Sequence, residues 1–345
     1  MAETSVAPGG AKRRNLRPLR KLLPYLAANR GLVAGAVIFL ALASLTTLSL
    51  PLAVRRVIDL GFDTPDTRFV DTYFAMLVVL AGLLAVASAG RYYFVVTLGE
   101  RVVASLRKDV FAQVTLLSQD FYDRTMSGEI VSRLTADTTQ VKSAVGSTAS
   151  LALRNAILVT GSLAMMVFTA PALSFIVIAV IPVIVVPLIA IGRQVRRKSR
   201  AAQDTLAHAS AYATEAIGAM RTVQAFTAED MATRRYAQAV DDAFEAARGT
   251  IKARAFLTAF AIFLVFSSIV AVLWIGSQQV ITGDMTAGTL GQFVLYALFG
   301  AGSVGALAEV WNELQRAAGG MGRISELLVE APGIRGPSQP GTALA

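Results

Sequence analysis

The sequence predicts an all-α membrane protein, with six long transmembrane helices and two extended helical hairpins that project from one side. Three observations carry that prediction. Of the 345 residues, 54% are apolar and 16% charged, with a mean hydropathy of +0.57, where soluble domains carry about 25% charged residues. Five stretches of 19 to 38 residues hold no charged side chain. The 32 Lys and Arg outnumber the 23 Asp and Glu and gather between alternate stretches. Basic patches beside long apolar runs point to a membrane and away from nucleic acid. A sequence without Cys and with the single His208 leaves no disulfide, zinc ribbon, thiol nucleophile or His cluster. No catalytic residue and no metal ligand are assigned.

Residues 1–15 read as a basic, disordered N-terminus, and 16–30 as an elbow helix lying on the membrane surface. Leu16, Leu19, Leu23 and Leu26 share one helical face, and Arg17, Arg20 and Lys21 turn away from it. Pro18 and Pro24 oppose a regular helix there. The apolar run starts at residue 31, too late for a signal peptide, so the segment is expected to remain uncleaved.

The charge-free windows are 31–54, 72–90, 155–192, 255–283 and 285–308. About 20 residues at 1.5 Å each cross the hydrocarbon layer. The 155–192 window is long enough for two spans, and Thr169-Ala170-Pro171-Ala172 reads as the turn between them, because Pro171 disfavours helix at the residue before it. Spans are therefore predicted at 31–58, 72–98, 147–169, 172–192, 255–280 and 285–309, within one domain covering 31–330. Of the 32 basic residues, 28 then fall on one side; Asp59, Asp63, Asp66, Arg68, Asp71 and Asp284 face the other. By the positive-inside rule both termini are cytoplasmic. The outer Asp residues read as a solvated loop. Arg91 and Arg154 fall at the inner interface, where long cationic side chains snorkel, and Glu309 and Glu313 read as a solvated helix face past span six.

The inner excursions, about 99–154 and 193–254, contain no Pro and few Gly, so helical hairpins are expected. In the first, Leu106, Val110, Val114 and Leu117 recur at helical spacing. At its tip Phe121-Tyr122-Asp123-Arg124 precedes turn formers. Two readings of these aromatic residues are open, a docking surface or a turn packing its rings on its own helices. Ser44, Thr46, Thr47, Ser49, Ser88, Gln292 and Tyr296 fall within spans and either line a cavity or bond helix backbone. Gly300-Ala301-Gly302-Ser303-Val304-Gly305 matches G-x-G-x-x-G but stands in a span-length apolar window, so helix packing or a bend is expected in place of a dinucleotide site. Gly31 and Gly35 read the same way.

Gly128-Glu129-Ile130-Val131-Ser132-Arg133-Leu134-Thr135-Ala136-Asp137 resembles the first intracellular-loop signature of ATP-binding cassette (ABC) exporters of the multidrug and lipid-exporter type. Residues 215–226, from Glu215-Ala216-Ile217 to Gln224-Ala225-Phe226, with Glu229, resemble the second loop, and Arg323-Ile324-Ser325-Glu326-Leu327-Leu328 is similar to the segment entering that family's nucleotide-binding domain. The likeness runs over about residues 16–335. It implies a homodimer or heterodimer in membrane lipid that exposes a cavity alternately to each side and moves a small amphipathic or lipid-like substrate out of the cytoplasm. It also implies that Phe121, Tyr122, Asp123 and Arg124 in the first tip, with Tyr212, Glu215, Ala216, Ile217 and Arg221 in the second, couple to a nucleotide-binding domain. The implied membrane is a bacterial inner membrane, or alternatively the mitochondrial inner membrane.

One departure from that family is large. Its phosphate loop needs G-x-x-x-x-G-K-[ST], and none of the six Lys residues here follows Gly. No cofactor is assigned to this chain; ATP and Mg are expected on a nucleotide-binding domain outside these residues, toward which 331–345 reads as a Pro/Gly linker. ATP turnover is expected only in combination with that domain, whether it continues the chain or is a separate subunit. Two rival functions stay open at this stage, a secondary transporter or channel and a non-transporting membrane scaffold.

Overall fold

Long apolar runs leave the backbone no water to bond to, so each N–H and C=O is satisfied within its own helix. The computed structural model describes residues 16–61, 67–331 and 333, and side chains outside 60–70. The expectations for 1–15, for Asp63, Asp66 and Arg68, and for nearly all of 331–345 lie outside what is described. After a 3₁₀ turn at Arg17–Leu22 come α1 (Leu23–Ala28), α2 (Arg30–Gly61), α3 (Thr67–Val114) and α4 (Gln119–Arg124). These are followed by α5 (Ser127–Thr169), α6 (Pro171–Gly218), α7 (Met220–Ala225), α8 (Glu229–Ile281) and α9 (Ala287–Val329). No strand occurs among the described residues. Six helices, α2, α3, α5, α6, α8 and α9, are long and apolar enough to cross a membrane. At 48 residues, α3 and α6 are about 72 Å long, more than twice the apolar thickness of a bilayer. Ala170 leaves helical geometry at φ −149° and Pro171 opens α6, which is the turn expected at 169–172.

The chain forms two compact units, residues 1–169 with 287–345, and residues 170–286. In the first unit, α2 and α3 approach through a reciprocal exchange of glycine and phenylalanine. A Cβ on Gly35 would stand 2.6 Å from the Phe94 ring, and one on Gly90 would stand 2.5 Å from the Phe39 ring; the two rings stack at 5.5 Å. Only a residue without a side chain fits either position. Gly31 meets nothing, so of the expected Gly31–Gly35 pair only Gly35 packs. Arg91 donates to Ser150 Oγ at 3.0 Å and so ties α3 to α5, a contact that snorkelling alone did not anticipate. The Gly300–Gly305 stretch lies inside α9 with no strand before it.

Beyond the apolar window the same unit has a second core. Leu98, Val102, Leu106, Val110 and Val114 form an α3 stripe buried against Met321, Ile324 and Leu327 of α9 and Ile130 and Val141 of α5. Leu22 completes this core at 3% exposed, whereas Leu23 is 57% exposed. That corrects the single elbow helix expected over 16–30. A 3₁₀ turn repeats every 3.0 residues, so Leu16, Leu19 and Leu22 align and Leu23 falls off the face. The elbow packs on protein, and Tyr25 OH donates to Asp109 Oδ2 at 2.6 Å.

In the second unit α6 and α8 run antiparallel from a turn at 219–228. Pro182 and Pro187 stand within α6. In the most apolar stretches of both helices no residue is buried, so their surfaces are left for lipid or for another chain.

Burial, followed by the hydrogen bond and charge of Asp109, pushes the Tyr25 phenol from 10.0 up to about 12. A raised value favours the protonated form in the fold, so this contribution is complete below pH 10 and is lost as pH rises through about 12. In a spectrophotometric titration, Tyr25→Phe is expected to remove a phenol ionising near the top of the range. Loss of a component near pH 10 would contradict the docked elbow.

Candidate functional site: the hairpin tips and the junction after span six

The first hairpin turns through α4. Ser118 precedes it in extended geometry, and Arg124 in its last turn pairs with Asp120 in its first. Phe121 packs inward against the second core of the first unit, where the α3 stripe offers apolar surface. Tyr122 meets it edge to face at 5.4 Å and donates its hydroxyl to the Val114 carbonyl at 2.7 Å. The two open readings therefore divide. Phe121 is spent on the hairpin itself, whereas the outward side of the tip consists of Tyr122, Asp123 and Arg124, with Met126 beside them at 83% exposed.

Past the tip, α5 contains two π-helical stretches, Arg133–Asp137 and Ala144–Thr148. Such bulges free backbone carbonyls and re-aim side chains. At the first bulge, Arg107 of α3 donates its Nε to the Leu134 carbonyl at 3.2 Å and to Thr138 Oγ1 at 2.9 Å. At the second, Gly99 lets α3 come close: a Cβ there would stand 3.2 Å from the Lys142 carbonyl. The first bulge delivers Asp137, 5% exposed, to α9. Arg323 grips that carboxylate with two donors, Nε to Oδ2 at 2.8 Å and Nη2 to Oδ1. Arg133 completes the junction, donating to Glu129 Oε1 at 2.5 Å and to the Arg323 carbonyl at 3.2 Å, with Glu326 Oε2 at 3.8 Å. Gly320 admits the contact, since a Cβ there would already touch the Asp137 carbonyl at 3.3 Å. The Asp137 hydrogen bond holds the Arg323 guanidinium above its ordinary value, outweighing partial desolvation.

Two segments read separately in the sequence, 128–137 and 323–328, are one structural junction. Sequence reasoning missed this pairing. The available signal was the four-residue spacing of Glu129, Arg133 and Asp137, which places alternating charges on one face, against Arg323 and Glu326 three residues apart with complementary signs.

In the second unit, Ala219 breaks the helix at φ −101°, and Thr227 takes a positive φ of 49° before α8. Tyr212 lies under the Arg235 guanidinium at 5.3 Å and donates to the Ala232 carbonyl at 3.4 Å, which fastens α6 to α8. Glu215 and Arg221 are exposed, Ala216 is half-buried and Ile217 is 69% exposed. Phe226, at 77% exposed, and Met231 extend the apolar tip and were not among the expected contact residues.

The spans' polar residues behave differently from the cavity lining that was one of their two expected roles. Ser44, Thr47, Gln292 and Tyr296 are buried in helix contacts of the first unit. Thr47 donates to the Ala43 carbonyl, Gln292 joins Arg55 to Thr169, and Tyr296 donates to the Leu48 carbonyl at 2.7 Å. Ser88 is half-buried. Gln292 and Tyr296 thus bond across helices, Thr47 bonds its own helix backbone, and Ser44 Oγ is buried without a hydrogen-bond partner among the described residues.

Residues 33–304 match the family model for the ABC transporter transmembrane region. The chain belongs to that family. It is 32% identical over 315 residues to ATP-binding cassette sub-family B member 10, mitochondrial, of Mus musculus, which covers 90% of this chain and 44% of that protein. It is 26% identical over 296 residues to a putative export ATP-binding/permease protein of Rickettsia bellii, covering 86% and 52%. It is 29% identical over 308 residues to the ATP-dependent permease MDL1, mitochondrial, of Schizosaccharomyces pombe, covering 88% and 42%. The chain therefore spans about half the length of these curated relatives. As an ABC transporter transmembrane domain it has the six apolar helices and the extended hairpins of the fold that the sequence predicted.

A buried ion pair costs most when one partner is removed. Arg323→Ala, which strands the Asp137 carboxylate, is expected to destabilise the chain by about 3 kcal/mol, and Asp137→Asn by less, because the half-exposed Arg323 resolvates. Denaturation of the single and double variants in micelles should give a coupling energy of about 1 to 2 kcal/mol. Additive effects would show that the pair is inert.

Proposed function

We propose that this chain is the membrane-spanning part of an ATP-driven exporter that moves amphipathic or lipid-like molecules out of the cytoplasm. The junction of Asp137 with Arg323 supports this reading most strongly. It fixes a hairpin tip to the helix that leaves the membrane, so a force applied at either reaches the spans through one rigid body. ATP and Mg belong in this account to a nucleotide-binding domain, and the names of the relatives, which include ATP-binding and export, favour that partner. A second protomer, identical or related, would cover the apolar faces of α6 and α8 that bury no residue. The gathering of 28 of the 32 basic residues on one side supports a cytoplasmic position for both termini and both hairpins. The membrane is a bacterial inner membrane; relatives named as mitochondrial favour the mitochondrial inner membrane as a second reading.

In this scheme α4 and α7 are coupling helices. Tyr122, Asp123 and Arg124 present one docking face, and Ile217 and Arg221, with Glu215 and Ala216 behind them and Phe226 alongside, present the other. Tyr212 acts from within by holding the second tip in shape. Nucleotide-driven closure would pull the tips and turn the spans.

Three measurements test this reading. Single Cys residues at positions 66 and 126 are expected to label only from outside and only from inside respectively; the reverse would overturn the topology. The 345-residue chain alone should show no Mg-dependent ATPase activity, and activity above contaminants would reveal a nucleotide site within it. Truncating an interface aromatic costs about 2 kcal/mol, roughly thirtyfold in docking. In a chain joined to its ATPase domain, Tyr122→Ala is therefore expected to leave substrate binding intact while uncoupling transport from hydrolysis, and Tyr212→Ala to do the same by loosening the second tip. Unaltered transport and unaltered substrate-stimulated ATPase in both would defeat the coupling assignment.

A further inference from the structure

The two ends of the first unit are fastened differently. At the hairpin end Asp137 is buried and meets two Arg323 donors. At the opposite end α2, the start of α9 and Thr169 at the end of α5 meet in a polar cluster that water reaches. Asp59 Oδ1 accepts from the Gly288 backbone N–H at 2.9 Å, and Asp59 Oδ2 accepts from Arg55 Nε at 3.3 Å. Arg55 Nη1 donates to Gln292 Oε1 at 3.3 Å, and Gln292 Nε2 donates to Thr169 Oγ1 at 3.4 Å. Arg55 and Asp59 are half-buried, and the last three of these bonds exceed the usual N–H···O range of about 2.7–3.2 Å. Partly hydrated ion pairs are weak. Parting this cluster returns its charges to water, whereas parting Asp137 from Arg323 would leave a buried carboxylate alone.

Just short of the cluster α2 is weakened. Tyr296, itself buried, holds the Leu48 carbonyl at 2.7 Å. Pro51 then stands inside the helix and leaves the Thr47 carbonyl without its helical N–H donor. Thr46, Thr47 and Ser49 turn their hydroxyls onto the Leu42, Ala43 and Thr46 carbonyls, a pattern that bends helices. Residues 52–59 are thus an arm beyond a soft turn. The arm closes tightly, since a Cβ on Gly288 would stand 2.4 Å from Asp59 Oδ1 and 2.6 Å from the Arg55 carbonyl.

We infer that residues 52–59 of α2 are a latch, hinged at Pro51 and shut on α9 by Asp59, which opens while the Asp137–Arg323 junction stays closed. The inference rests on the export reading, in which a cavity is exposed to each side in turn and the spans must part at one end only. The positive-inside rule puts the latch at the outer end.

The test is pulsed dipolar spectroscopy of the Cys-free 345-residue chain in lipid nanodiscs without nucleotide, diluted with unlabelled chain. Spin labels at positions 56 and 287 span the latch, and labels at 126 and 329 report on the hairpin end. Asp59→Asn is expected to raise the fraction of long 56–287 distances about threefold, the weight of a partly exposed ion pair. Gly288→Ala should raise it about tenfold, because its Cβ overlaps the closed arm. Adding Pro51→Ala to Gly288→Ala restores a backbone donor at the hinge and should bring the fraction back toward the wild-type value, which a disrupted bundle would not do. Gly302→Ala, where a Cβ meets nothing, should match the wild type, and the 126–329 distances should stay fixed throughout. An unchanged 56–287 distribution in Asp59→Asn or Gly288→Ala, an equal rise in Gly302→Ala, no reversal by Pro51→Ala, or a 126–329 distance that shifts with the latch would each overturn the proposal. In the chain joined to its ATPase domain, ATP is expected to populate the same long distance. If ATP fails to do so while the variants respond as expected, the export reading falls and the latch stands.

Discussion

Asp137 is a carboxylate taken out of water at the root of a hairpin, where Arg323 meets it with two donors. A buried charge must be paired or neutralised, and this necessity places α9 against α5 beyond the spans. Other features answer to the same contact. Gly320 is small where α9 meets α5, the π-bulge ends at Asp137, and Arg133 ties the Arg323 carbonyl to Glu129 and Glu326. The apolar core beneath it, from Leu98 to Val114 on α3 and from Met321 to Leu327 on α9, supplies adhesion; the ion pair supplies register. Adhesion alone would tolerate a slip of α9 by a turn, because apolar contacts have no direction.

A chain that works at some distance from a bilayer needs stiff extensions, and helix is the cheapest form of stiffness. The 48 residues of α3 and α6 carry the structure past the apolar layer without a loop. The tips then present different surfaces. The first shows polar and aromatic groups around Tyr122, with Phe121 held inward; the second shows apolar groups, Ile217 and Phe226, on a frame fixed by Tyr212 and Arg235.

Much of this was legible in the sequence, for physical reasons that name its limits. The spans and the Ala170 turn follow from local rules about charge and proline, so they are where those rules put them. The stripe Leu106, Val110, Val114 and Leu117 was visible because a regular helix has a fixed period, and all four are buried. The elbow misled because its period is that of a 3₁₀ turn, which buries Leu22 in place of Leu23. Tyr296 and Gln292 show a different limit: a polar residue in an apolar helix has the same sequence signature in a cavity as in a helix contact. The union of 128–137 with 323–328 was hidden because it joins residues 186 apart through a bulge, and no local rule predicts where an extra residue enters a helical turn.

The central claim is that the first hairpin and the cytoplasmic part of α9 move as one body held by Asp137 and Arg323. Spin labels at position 126, on the tip, and at position 329, where α9 ends, report on it directly by pulsed dipolar spectroscopy in the chain joined to its ATPase domain. The account predicts one distance distribution, unchanged between nucleotide-free and ATP-bound states, that broadens in Arg323→Ala. A distance that shifts with nucleotide in the unsubstituted chain, or a distribution indifferent to the loss of Arg323, would contradict it.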